Sequence, residues 1–100
     1  MGKTDDGKIE VRNINAPDHI TRVDRAKYEA MKTALLGVLP ADPPGLTAAE
    51  AKAALLPHLS PEHFPGGAKS GWWMKCVQLD LEARAVIKRA ETKPLRFWRL

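Results

Sequence analysis

Residues 70–100 constrain this chain more than any other stretch, because the spacing of their apolar side chains changes from a helical period to an alternating one almost without a break. Ser70 to Arg84 reads as one helix. Ala85-Val86-Ile87-Lys88-Arg89 then leads through the turn Glu91-Thr92-Lys93-Pro94 into Leu95-Arg96-Phe97-Trp98-Arg99-Leu100, so the segment closes as a two-stranded ribbon. A helix that feeds directly into such a ribbon must be packed on elements that come earlier in the chain.

Two helices are expected there. Asp24 is a good N-cap, with Val23 and Tyr28 spaced as a hydrophobic staple, and Tyr28, Met31, Leu35, Val38 and Leu39 share one helical face up to Pro40. Ala41-Asp42-Pro43-Pro44-Gly45 is loop chemistry, since each proline removes a donor and biases its predecessor away from helix. Thr47-Ala48-Ala49-Glu50 is a capping box that opens a second helix, expected to turn Ala51, Ala54, Leu55 and Leu59 inward. Ser60-Pro61 suggests a single helical turn anchored by Phe64, Pro65-Gly66-Gly67 breaks regular structure, and Ser70 is the expected cap of the third helix, with a start two residues earlier as the alternative.

That third helix is apolar on two sides. Trp73, Val77, Leu81 and Arg84 form one stripe with Met74 beside it, whereas Trp72, Cys76, Leu79 and Ala83 form another. Lys75, Gln78 and Glu82 occupy the polar remainder, with Asp80 on a further edge. A helix of this kind is either buried twice over or presents a contact surface.

At the other end, Ile9-Glu10-Val11-Arg12 alternates as a short strand and Asn13-Ile14-Asn15-Ala16-Pro17-Asp18 is a cluster of turn formers. Residues 1–20 are therefore expected to be an arm, its first seven residues mobile, that folds back or pairs with a partner's sheet edge, ahead of one domain over residues 21–100. One hundred residues suffice for one small core. No apolar run nears the roughly 20 residues of a membrane span, and the polar start Met1-Gly2-Lys3-Thr4-Asp5-Asp6-Gly7 lacks a secretory apolar stretch, so a cytoplasmic protein without a membrane partner is expected. Cys76 is the only cysteine and is read as a packing residue.

The net charge of +4 is concentrated: Arg84, Lys88, Arg89, Lys93, Arg96 and Arg99 face Glu91 alone in the last seventeen residues. Such clustering is the footprint of a polyanion binder or, alternatively, of a strand pair that carries cations for solubility and edge protection.

From Ala26 to Leu100 the chain resembles the winged helix-turn-helix superfamily. The resemblance rests on Leu46-Thr47-Ala48-Ala49-Glu50 entering the second helix and on the run Leu81-Glu82-Ala83-Arg84-Ala85-Val86-Ile87-Lys88-Arg89 leaving the third. It extends to small uncharacterised bacterial proteins of that shape. The fold it implies is mainly α, three helices with a small antiparallel β-wing. Two features depart from the family pattern: a long connection rich in proline and glycine between Leu56 and Ser70, and Ala85 where many relatives have glycine, an exchange compatible with the fold if that residue keeps a negative φ.

Function implied by the resemblance is double-stranded DNA binding, mainly through backbone contacts, with Lys69, Ser70, Trp72, Lys75 and Gln78 on the third helix and Lys88, Arg89, Lys93, Arg96 and Arg99 on the wing. The alternative is a protein-interaction or homodimerisation module that uses Trp72, Cys76, Leu79, Phe97 and Trp98. Catalysis has the least support, because His19, His58 and His63 are dispersed and no metal-ligand spacing, phosphate loop or ordered carboxylate pair is recognised. No cofactor or metal is expected.

Overall fold

The computed structural model describes residues 7–16 and 18–100. The mobility expected of Met1 to Asp6 and the turn expected at Pro17 lie outside these residues. The order of elements is β1 (Lys8–Val11), β2 (Thr21–Asp24), α1 (Arg25–Val38), β3 (Leu46–Thr47), α2 (Ala48–Leu55), α3 (Ser70–Ala83), β4 (Ile87–Ala90) and β5 (Arg96–Arg99), with short 3₁₀ turns at Leu56–His58 and Pro65–Gly67. Two antiparallel sheets form, β1-β2 and β3-β5-β4. The three expected helices and the closing antiparallel ribbon are present, and more strand than expected makes the chain a mixed α/β domain.

The difference has two sources. Thr21-Arg22-Val23-Asp24 pairs with β1 in the register Lys8↔Asp24 to Val11↔Thr21, so β1 and β2 make a hairpin that straddles the boundary expected after residue 20. Of the two arrangements considered for the arm, the described one folds back: Ile9, Val11 and Val23 share its inner face and join the core. In the second sheet β3 adds a third strand, pairing Leu46 with Phe97.

Capping chemistry sets the helix starts. The Asp24 carboxylate accepts from the Lys27 N–H at 2.9 Å. At α2 the Glu50 N–H donates to the Thr47 hydroxyl at 3.1 Å while the Thr47 N–H donates to the Glu50 carboxylate at 2.9 Å, so two otherwise unpaired donors are satisfied reciprocally. That backbone donor, followed by the neighbouring Arg96, holds the Glu50 carboxyl below its usual range. Ser70 is not the cap of α3. Lys69 takes that position with φ of 59° and no side-chain cap bond, and Ser70 is the first helical residue, buried against the core.

The core lies between α1, α2 and α3 and is closed by both sheets. Tyr28, Met31, Ala34, Leu35 and Leu39 meet Ala51, Leu55, Phe64, Trp73, Met74, Val77 and Leu81, and Ile87 and Phe97 seal the wing side. Ala54, expected inward, is exposed. On α3 the departure is larger, since Gln78, Asp80 and Glu82 are all buried, not solvated. The hairpin and the wing pack on either side of this helix and supply the partners its polar groups need.

Ala85 departs as well. After Arg84 the helix ends in a Schellman motif, with the Val86 N–H donating to the Leu81 carbonyl at 2.9 Å and the Ala85 N–H to the Glu82 carbonyl at 3.1 Å. Ala85 therefore sits at φ of 60°, where its Cβ is a steric burden that glycine would lack. Gly45 is the opposite case: its φ is 84° and a Cβ would lie 1.7 Å from the Phe97 carbonyl oxygen. In urea unfolding, Ala85→Gly is expected to stabilise the domain by about 1 kcal/mol, whereas Gly45→Ala should be among its most damaging single substitutions. A neutral Gly45→Ala would refute the close approach of this loop to β5.

Candidate interaction surface

Helix α3 organises the surface because its own polar side chains are engaged inside the molecule. The Asp80 carboxylate is fully buried. It accepts from the Arg12 N–H at 2.7 Å, from the Tyr28 hydroxyl, and from Arg84 Nε at 2.9 and 3.0 Å to its two oxygens. Burial first, and then this hydrogen bond, push the Tyr28 phenol well above its ordinary range, so it remains a donor. Two residues along, Glu82 accepts from Gln78 Nε2 at 3.2 Å and binds Arg89 through two bonds of 2.5 and 2.9 Å. The Arg89 guanidinium also lies 6.0 Å above the Phe97 ring.

These contacts sort the residues expected to meet DNA. Ser70 and Gln78 are buried and cannot reach a groove without leaving the core. Arg89 is held by Glu82, Arg96 by Glu50 at 3.2 Å and by the Gly45 carbonyl, and Arg99 donates to the Leu39 carbonyl at 2.9 Å. The expected basic wing is therefore largely an internal network. Lys69, Lys75, Lys88 and Lys93 are exposed, and no ion pair holds them among the described residues.

The expected interface residues divide in the same way. Phe97 is a core residue at 5 % exposure, so it cannot serve as an interface anchor. Its placement follows from the alternation of β5, which turns Phe97 inward. Trp98, Cys76 and Leu79 are half-buried, and Trp72 is 59 % exposed. Trp72 stands edge-on to Trp73 with ring centroids 5.1 Å apart, so one of the paired indoles is in the core and the other is outside. Burial, helped by Asp80, pushes the Cys76 thiol up to about 11. At neutral pH it is a protonated apolar group and not a nucleophile.

A groove flanks this ridge on each side. One, of about 310 Å³, runs between α3 and the hairpin and is lined by Val11, Arg12, His19, Val23, Trp72, Lys75, Cys76 and Leu79 among others. The other, of about 410 Å³, lies between the start of α2, α3 and the wing, where Met74, Lys75 and Leu95 line it. The hairpin wall is the part that the sequence reading missed. Its signal was the alternation Thr21-Arg22-Val23-Asp24, the complement of Ile9 to Arg12 across a turn-forming stretch.

Among the described residues no group of three or more His, Cys, Asp or Glu could hold a metal ion, and no helix is long and apolar enough to cross a membrane. His19 bonds the Thr21 hydroxyl at 2.9 Å and His63 lies 3.6 Å from Glu62, each a local surface contact.

In alanine substitutions followed by chemical unfolding, Trp73→Ala is expected to cost about 3–5 kcal/mol and Trp72→Ala no more than about 1.5 kcal/mol, the scale of its ring contact. Equal losses would mean that Trp72 is a core residue.

The family model for a family of unknown function, DUF6958, matches residues 8–97, and the chain belongs to that family. No curated protein and no solved structure matches it.

Proposed function

We propose that this family member is a non-catalytic protein-docking module on a winged helix-turn-helix frame, with the outer ridge of α3 as its contact surface. The succession α1, β3, α2, α3, β4, β5, with β5 between the other two strands of its sheet, supports the frame. One observation carries the docking reading: the indole of Trp72 is 59 % exposed at the head of a strip that continues through Cys76 and Leu79 and is bordered by grooves. Aromatic side chains that stand proud of a well-packed core are the usual anchors of protein interfaces.

Weak binding of double-stranded DNA is the second reading. It draws on Lys69, Lys75, Lys88 and Lys93, which are exposed cations in the third helix region and the wing. Against it, the arginines that would clamp phosphates have carboxylates and carbonyls of this chain as partners, and an exposed tryptophan reads no base edge.

A photo-crosslinking residue at position 72, with a second at the exposed Ala53 as control, separates the readings in the native host. Protein adducts at 72 and none at 53 are the expected outcome. Nucleic-acid adducts at 72, together with duplex binding that weakens steeply with salt as counterions are released, would replace the docking reading by the DNA one.

A further inference from the structure

Resting on that docking reading, we infer the chemistry of the partner: an acidic segment of another protein that inserts a large apolar side chain into the groove between the hairpin and α3. The groove has an apolar floor made by Val11, Val23 and Leu79, with the exposed indole of Trp72 at its rim. A cation stands on each wall, Arg12 from the hairpin and Lys75 from α3, both exposed and neither in an ion pair among the described residues. No carboxylate of the described residues lines it. Asp80, which lies just beneath Arg12, is fully buried and accepts from three groups already.

Charge complementarity selects among the occupants. An apolar floor between two unpaired cations favours a ligand that carries carboxylates on either side of a hydrophobic side chain, because the charges then steer and orient what the floor binds. A second copy of a chain with net charge +4 would bring like charges to this groove. A duplex would meet the cations but leave the apolar floor in water.

The experiment titrates the full chain into a fluorescein-labelled peptide in which glutamates flank a leucine-phenylalanine pair, read by anisotropy. Two further peptides serve as comparisons, one with lysines for the glutamates and one with serines for the apolar pair. Both comparisons are expected to bind about tenfold or more weakly than the acidic apolar peptide, and Trp72→Ala and Lys75→Glu should each cost it a similar factor. Thermal unfolding of Lys75→Glu should match the parent, and that of Trp72→Ala should stay one cooperative transition lowered only by the loss of its ring contact with Trp73, so a lost complex is not a lost fold.

Equal binding of the lysine peptide that still depends on Trp72 would overturn the acidic partner and leave the docking surface standing. Equal binding of the serine peptide would reduce the site to a charge attraction and overturn the inference. Absence of binding by all three peptides would also overturn it, while the crosslinks at position 72 judge the docking reading independently. Sedimentation as a dimer that Trp72→Ala dissolves would identify the occupant as a second copy, against this inference.

Discussion

A carboxylate buried without exposure is stable only if its charge is met, because desolvating an ion costs several kcal/mol. Asp80 meets this demand by drawing three donors from three parts of the chain: the backbone just after β1, the hydroxyl of Tyr28 on α1, and the guanidinium of Arg84 at the exit of α3. The same guanidinium donates to the Glu10 carbonyl at 3.1 Å, which fastens the hairpin a second time. The hairpin is thus held to the helices by directional bonds as well as by Val11 and Val23, and its position defines one wall of the α3 groove.

Glu82 does on the wing side what Asp80 does on the hairpin side. Through Arg89 it ties β4 to α3, with Gln78 of the same helix as a further donor and Phe97 sealing the apolar space below. Once both acids are engaged inside, the exposed ridge of α3 is left with Trp72 and Lys75, flanked by the half-buried Cys76 and Leu79. The concentration of cations in the last seventeen residues has the same origin: much of it neutralises or caps groups within the fold.

The regular elements were legible where local chemistry decides them. The Thr47 capping box, the Asp24 cap, the helical face from Tyr28 to Leu39 and the change of period after Arg84 depend on neighbours in sequence, and they lead to the helices and the closing ribbon found here. What could not be read were pairings between distant residues. Asp80, Gln78 and Glu82 look like solvated helix positions until the hairpin and wing arrive, and the Asp80 to Arg12 bond spans 68 positions. Arg89 and Arg96 look like free phosphate ligands for the same reason. Trp72 and Trp73 fall on different stripes of the helix, but the sequence leaves open whether the second stripe is buried or exposed, just as the amphipathic sequence of β5 leaves open which way Phe97 faces.

As a paired buried charge, Asp80 joins hairpin, α1 and α3. Urea unfolding of Asp80→Ala measures this most directly, since the change leaves the Tyr28 hydroxyl and the Arg12 N–H without their acceptor. A loss of about 3–5 kcal/mol is expected, as for other buried ion pairs deprived of one partner. A loss below about 1 kcal/mol, the level of an ordinary surface substitution, would contradict the claim and release the hairpin wall from the role assigned to it.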